Sequence, residues 1–168
     1  MQITRATDYA VRVMIHLAAL PPGSKVQQAE LSRDTEVSGH FLSKVLQQLV
    51  RSQLIRSQRG SGGGFVLAVP ASSVSLLDVV EAIEGPVRLN LCLEDGPSCN
   101  RKPSCPAHEV WAKAQAALVK VLAASSIASL ALESHALKRP AYLRHHEPVW
   151  ISGVPKASKS RLQTRDGR

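Results

Sequence analysis

Aromatic residues are scarce in this sequence, and membrane-spanning runs are absent. Phe, Trp and Tyr make up 4% of the 168 residues, so Leu, Val, Ile and Ala are expected to supply most of the core. No apolar run approaches the roughly 20 residues that cross a bilayer. The first 20 residues carry polar side chains throughout and no small-residue cleavage site, so no signal peptide is expected. The composition therefore predicts a cytoplasmic protein with one domain, or with one domain and an appendage.

Acidic residues are missing from residues 37–77, which nevertheless carry Lys44, Arg51, Arg56 and Arg59. A surface made basic by omitting acids suits a phosphate-rich partner such as nucleic acid, although chance in a Gly- and Ser-rich region would leave the same pattern. The formal net charge of +8 is uneven, because residues 135–168 hold eight Lys/Arg and two Asp/Glu. Their lack of periodicity predicts a disordered basic tail.

Apolar spacing predicts three helices in the first third of the chain. The first covers residues 5–20 with Thr4 as its N-cap, the second covers 27–33, and the third covers 38–53 with Ser38 as its N-cap. Glu36 and Val37 form the tight turn between the last two. The third helix is expected to bury Phe41, Leu42, Val45, Leu46 and Leu49 and to expose His40, Ser43, Lys44, Gln47 and Arg51. This pattern is typical of a helix-turn-helix.

A glycine-tipped hairpin follows, with strands predicted over 54–58 and 65–69. Its glycines permit positive φ angles and a close backbone approach; they are Gly60, Gly62, Gly63 and Gly64. The next helix, over 75–85, begins with a Ser75–Asp78 capping pair. Pro106 begins a long helix whose apolar stripe predicts a homodimer or, alternatively, packing on its own domain; the stripe contains Val110, Trp111, Ala114, Leu118, Val121 and Leu122.

The predicted fold is mainly α (α+β): a winged helix-turn-helix with a two-stranded wing and a long C-terminal dimerisation helix. The predicted divisions are a DNA-binding domain over 1–84, a cysteine loop over 85–106, a dimerisation region over 107–134 and the tail over 135–168.

All three cysteines lie in that loop, at Cys92, Cys99 and Cys105, and His108 follows three residues later. An odd number of cysteines in a cytoplasmic protein argues against a disulfide framework. Thiolates clustered in a Gly- and Pro-rich loop favour a metal site, and the wide C-x6-C-x5-C spacing favours an iron–sulfur cluster. A zinc site and a redox-active thiol site remain alternatives.

Four features in order resemble the Rrf2 family of winged-helix transcription regulators, over about residues 1–134. They are M-Q-I-T-x-x-T-D-Y-A at the start, R-G-S-G-G-G-F-x-L in the wing, S-L-L-D-V-V-E-A-I-E-G in the next helix, and the three-cysteine loop. The resemblance implies a homodimeric repressor or activator that holds a 2Fe–2S or 4Fe–4S cluster. By position the ligands would be Cys92, Cys99 and Cys105, with His108, or Asp8 of the partner subunit, as the fourth.

The expected partner is double-stranded DNA with a palindromic operator, read by two recognition helices in successive major grooves. Resemblance implies that Arg59 at the wing tip enters a minor groove. The other predicted DNA-binding residues are Ser43, Lys44 and Gln47 at base edges, Arg51, Ser38 and His40 at phosphates, and Gly60, Gly62 and Gly63 in the wing.

No catalytic constellation stands out, so neither an enzyme nor a small-molecule substrate is expected. An electron carrier that uses the same cluster is the alternative from a different class. Three of the assigned residues also have ordinary interpretations: Asp8 as a helix N-terminal acid, His108 as a first-turn residue, and Arg59 as a solvated side chain.

Overall fold

Residues 3–60, 62–94 and 99–137 are described by a computed structural model, with side chains described through residue 134. These residues form six α-helices and one hairpin: α1 (Arg5–Ala18), α2 (Gln28–Thr35), α3 (Gly39–Arg51), β1 (Ile55–Gln58), β2 (Gly64–Leu67), α4 (Leu76–Glu84), α5 (Pro106–Ala124) and α6 (Ile127–Leu137). The predicted winged helix-turn-helix is confirmed. Within the described ranges, no helix is both long and apolar enough to cross a membrane.

Helix α1 lies at the centre of the core and contacts α2, α3, α4 and α6. Its buried side chains repeat at the helical spacing of three and four residues: Ala10, Val13, Met14 and Leu17. Helix α3 contributes Leu42, Val45, Leu46 and Leu49 in the same pattern. After α5, helix α6 returns to this core, where Ile127 is fully buried.

One predicted buried position is wrong. Phe41 is 58% exposed, because the buried stripe of α3 begins one residue later, at Leu42. On α5 the predicted stripe divides: Leu118 and Leu122 pack with Val80 and Val87, whereas Val110, Trp111 and Val121 stay exposed. Helix α4 and the segment after it thus cover one flank of the stripe.

The turn between α2 and α3 is tight because Glu36 adopts a left-handed conformation, with φ +57°. Val37 is buried beneath it, and the Ser32 hydroxyl donates to the Val37 carbonyl over 2.6 Å. Ser38 occupies the predicted N-cap position of α3, but its side chain makes no capping hydrogen bond.

The wing is the antiparallel hairpin of β1 and β2, which pairs Ile55 with Leu67 and Gln58 with Gly64. Strand β2 is also joined to the segment before α2, since Val26 and Phe65 exchange two backbone hydrogen bonds of 3.0 and 2.8 Å. Gly64 makes this approach possible: a Cβ there would lie 2.6 Å from the Val26 carbonyl oxygen.

The predicted starts of α4 and α5 agree with the structure, whereas α1 ends two residues earlier and α2 two residues later than predicted. Ser75 and Asp78 form a reciprocal capping box at the start of α4, and Gly85, with φ +77°, follows its end. Helix α5 starts at Pro106. Most of the predicted basic tail, residues 138–168, lies outside the described residues.

Candidate DNA interface and cysteine site

Helix α3 presents a polar, acid-free face. The side chains of His40, Lys44, Gln47 and Arg51 are exposed, and Ser38 is exposed just before the helix. None of the cations on α3 or the wing forms an ion pair with a described residue. A helix of this kind suits the major groove, because its donors are available for base edges and phosphates.

Ser43, which was predicted to read a base, is less exposed than the other predicted DNA-binding residues of α3. It is half-buried, and its hydroxyl donates to the Gly39 carbonyl over 2.9 Å. The amide nitrogen of Gln28 donates to the same hydroxyl over 2.7 Å and to the Gly39 carbonyl over 3.2 Å. Ser43 is therefore already engaged by its own protein.

A groove of about 380 Å³ separates α3 from the wing. Its polar lining includes the α3 residues Ser43, Gln47 and Arg51, together with Gln28 of α2 and Ser57 of β1. Gln28 and Ser57 were not among the predicted DNA-binding residues, because both come from elements that are adjacent to α3 only after folding. The groove places them beside the predicted DNA-binding face.

The wing tip has the glycine conformations that the sequence predicted. Gly60 and Gly62 have φ angles of +106° and +86°. The Gly63 N–H donates to the Gly60 carbonyl over 2.9 Å, and a Cβ on Gly63 would lie 2.4 Å from the Gln58 carbonyl oxygen. Arg59 is exposed next to this turn.

The three cysteines all have free thiols. Cys92 is buried in a short 3-10 turn, Leu91–Leu93, while Cys99 is half-buried. Cys105, also half-buried, is the N-cap residue of α5, and its carbonyl accepts the His108 N–H over 3.0 Å. Cys105 and His108 are thus one helical turn apart.

His108 carries a buried polar atom with no hydrogen-bond partner, its Nδ1. Buried polar atoms are nearly always hydrogen-bonded, so an imidazole nitrogen without a partner, three residues after a cysteine, is the kind of donor that a metal would satisfy. Among the described residues, however, no three His, Cys, Asp or Glu side chains converge as a metal site. The donor types fit an iron–sulfur group, but in this chain the four predicted ligands do not come together.

Asp8, the alternative fourth ligand, is half-exposed on α1. Its carboxylate pairs with Arg12 on the next turn, with an N–O distance of 2.9 Å. An i,i+4 ion pair of this exposure contributes only a few tenths of a kcal/mol (about 0.3–0.5) and would separate readily.

The start of the cysteine loop is tied to α1 through Glu84. Its carboxylate accepts hydrogen bonds from the Thr4 N–H (3.1 Å), the Thr4 hydroxyl (2.7 Å) and the Thr7 hydroxyl. Partial desolvation raises the pKa of Glu84, but these hydrogen bonds outweigh it and leave the pKa below its ordinary value. Thr4 was predicted to cap α1 with its side chain; its hydroxyl binds Glu84 instead.

The cysteine loop and α1 each make a further contact with a neighbouring helix. The Leu89 N–H donates to the Gln115 side chain of α5 over 3.0 Å. On α1, the Tyr9 ring meets Phe41 of α3 edge to face, with centroids 6.4 Å apart. Helix α1 therefore contacts both the residue preceding the cysteine loop and the recognition helix.

Sequence comparison matches residues 3–133 to a family model described as "Rrf2: Iron-dependent Transcriptional regulator". Protein aau3 of Rhizobium meliloti (strain 1021) is 37% identical over 132 residues, which cover 77% of this chain and 84% of that protein.

Two solved structures are similar in fold. CymR (YrzC), the global cysteine regulator of B. subtilis, superposes with a TM-score of 0.65 at 25% identity, covering 79% of this chain and 98% of that one. IscR of T. potens superposes with a TM-score of 0.66 at 19% identity, covering 82% and 91%. The second likeness bears on the fold alone.

Proposed function

Since this chain belongs to the Rrf2 family of transcriptional regulators, we propose that its DNA binding is controlled by an iron–sulfur cluster held in the cysteine loop. The chain is a DNA-binding regulator of that family, which is a family of regulators rather than of enzymes. The observation that carries the cluster proposal is the donor set of three free thiols and the unpaired His108 Nδ1. A regulator of this class acts on the chromosome, so the cytoplasmic location expected from the sequence is part of the proposal.

The DNA-binding role rests on the exposed face of α3 and the wing. Lys44 and Gln47 would meet base edges in the major groove, and Arg51 a phosphate. Ser38 and His40 lie beside the start of α3, where phosphate is favoured. Arg59, with Gly60, Gly62 and Gly63, would bring the wing tip into the adjacent minor groove.

Cys92, Cys99, Cys105 and His108 would hold the cluster. When bound, it would supply a charge that changes with oxidation, nitric oxide or iron supply. Because the four donors are not assembled in this chain, cluster binding would require the loop to rearrange. His108 is favoured over Asp8 of the partner subunit, since its Nδ1 is buried without a hydrogen-bond partner.

Contacts of the chain itself suggest how the loop would affect DNA binding. Movement of Cys105 would displace the start of α5, because Cys105 is the N-cap residue of that helix. Movement at the other end would pull on Glu84 and hence on Thr4 and Thr7 of α1. Helix α1 contacts α3, so its displacement would shift the recognition helix.

A homodimer on a palindromic operator is part of the proposal. Val110, Trp111 and Val121 form an exposed apolar flank on α5, with exposed fractions of 64%, 42% and 65%. An apolar flank on a long helix suits a second copy of the same helix. The dimer would set two α3 helices about 34 Å apart, and introducing a charge on this flank, as in Val110→Glu or Val121→Glu, should give monomers in sedimentation.

The cluster is tested by iron and sulfide analysis of anaerobically purified protein. Cys92→Ser, Cys99→Ser and Cys105→Ser should each lower the iron content and visible absorption, whereas Ser104→Ala, in the same loop, should not. Iron without sulfide, zinc alone, or full iron in all three cysteine variants would contradict the proposal; metal-free protein whose DNA binding responds to oxidants would support thiol sensing instead.

A further inference from the structure

The side chain of Gln28, on the neighbouring helix α2, is hydrogen-bonded to the N-terminal part of the recognition helix α3. Its nitrogen donates to the Ser43 hydroxyl over 2.7 Å and to the Gly39 carbonyl over 3.2 Å. We call this pair of hydrogen bonds the clasp. The adjacent Gln27 makes no side-chain hydrogen bond to its helix and is exposed. The two neighbouring glutamines therefore have different surroundings, and only Gln28 reaches α3.

The clasp limits what Ser43 can do. A serine hydroxyl has one proton and two lone pairs. Here the proton is directed to the Gly39 carbonyl, and one lone pair accepts from Gln28. Ser43 could donate to a base only by giving up a bond inside the protein. Its neighbour Lys44, by contrast, is exposed and makes no such bonds.

Gln28 also lies at the DNA-facing side of the domain. It lines the groove between α3 and the wing together with Gln47, Arg51 and Ser57. The clasp acts on the turn of α3 that carries Ser43 and Lys44. Contacts between side chains and base edges require atoms to be placed within about 0.5 Å, so the support that Gln28 gives this turn affects which base pairs α3 can bind.

On these grounds we propose that Gln28 is a specificity-determining residue that acts through Ser43. It would hold the N-terminal part of α3 in the position from which Lys44 and Gln47 read the operator, and Ser43 would position the helix rather than read a base. This inference rests on the proposed DNA-binding function and extends it to a residue outside the recognition helix.

The test measures dissociation constants for a panel of operator duplexes, each with one base pair changed. Gln28→Ala should reduce discrimination about tenfold at the base pairs under the N-terminal part of α3. Ser43→Ala should relax the same positions, and the double variant should be no worse than the more severe single one, because both changes break one network. Gln27→Ala is the matched control and should leave discrimination unchanged.

Thermal midpoints and circular dichroism check folding, and Gln28→Met, which keeps side-chain length without donors, replaces Gln28→Ala if the latter does not fold. Unchanged discrimination in both Gln28 variants would overturn this inference, as would additive effects of Gln28 and Ser43, which would indicate separate DNA contacts. If wild-type protein itself failed to discriminate among duplexes, the proposed function would fail instead.

Discussion

The hydroxyl of Thr7 donates a hydrogen bond to the carboxylate of Glu84, across 77 residues of sequence. Thr7 is almost fully buried, while Glu84 is the last residue of α4 and precedes the cysteine loop. This contact joins the start of α1 to the start of the loop. Because α1 also packs on α3, the contact lies between the candidate cluster site and the DNA-binding face.

The Glu84 contact predicts a pH-dependent contribution to stability. Hydrogen bonds hold the pKa of Glu84 below the ordinary 4.5 despite desolvation, so its ionised form is favoured in the folded protein. The stabilisation is fully present above pH 4.5 and is lost as pH falls through the lower folded value. Thermal melts should therefore separate wild type from Glu84→Gln at neutral pH and bring them together in acid.

Thr7→Val should lower the free energy of unfolding by about 1 kcal/mol at neutral pH, because it removes the hydroxyl while keeping side-chain volume.

Glu133→Gln, on an exposed stretch of α6, is the control for Glu84→Gln and should have the same thermal midpoint as wild type. A constant difference between wild type and Glu84→Gln across the acid range would argue against this role for ionisation.

Gly64→Ala should loosen the attachment of the wing. The new Cβ would lie 2.6 Å from the Val26 carbonyl oxygen, so the backbone would have to separate, at about 1–3 kcal/mol. Gly39→Ala is the matched control, since a Cβ there meets nothing within 4 Å. Hydrogen exchange at the Phe65 N–H should accelerate only in Gly64→Ala; equal exchange in both variants would disprove the steric argument.

Local signals in the sequence predicted much of this architecture. The Ser75–Asp78 capping box, Pro106 at the start of α5 and the positive-φ glycines were all recognisable, because each depends on neighbours within a few residues. Ser38 occupies the predicted N-cap position of α3, although its side chain makes no capping hydrogen bond. The start of α3 is determined by the tight turn before it and not by a capping bond.

Contacts between distant segments could not be predicted in this way. The Thr4 hydroxyl, which local rules assign to helix capping, donates a hydrogen bond to the Glu84 carboxylate instead. The Ser43 hydroxyl, which would be exposed on an isolated α3, accepts a hydrogen bond from Gln28. Phe41 was misplaced because it lies at the edge of the stripe, beside Tyr9. The ligand set remains a prediction, since cysteine spacing does not determine how the loop folds.

Arg59→Ala should weaken DNA binding most on operators with A·T-rich flanks, because a narrow minor groove concentrates negative potential. Lys44→Ala should instead cost about 1–3 kcal/mol mainly at one base pair, if Lys44 reads a base. Both are measured by fluorescence anisotropy on duplexes with exchanged flanks. A uniform loss for Lys44→Ala would make it a phosphate contact, and no loss for either variant would contradict the docking.

His108→Ala should alter the cluster more than Asp8→Ala does. The reason is that His108 Nδ1 is buried without a partner, one helical turn from Cys105, whereas the Asp8 carboxylate is exposed to solvent. Absorption and electron paramagnetic resonance of anaerobically reconstituted variants provide the comparison. An unchanged His108→Ala spectrum together with a changed Asp8→Ala spectrum would transfer the fourth position to the partner subunit's Asp8.

The central claim, that an iron–sulfur cluster sets DNA binding, is tested most directly by one anaerobic titration. The operator affinity of cluster-loaded protein is compared with that of the same preparation after the iron is chelated, at equal protein concentration and salt. The account predicts that the two dissociation constants differ by about tenfold or more, equivalent to about 1.4 kcal/mol of coupling. Equal dissociation constants for two preparations that both bind the operator specifically would contradict it.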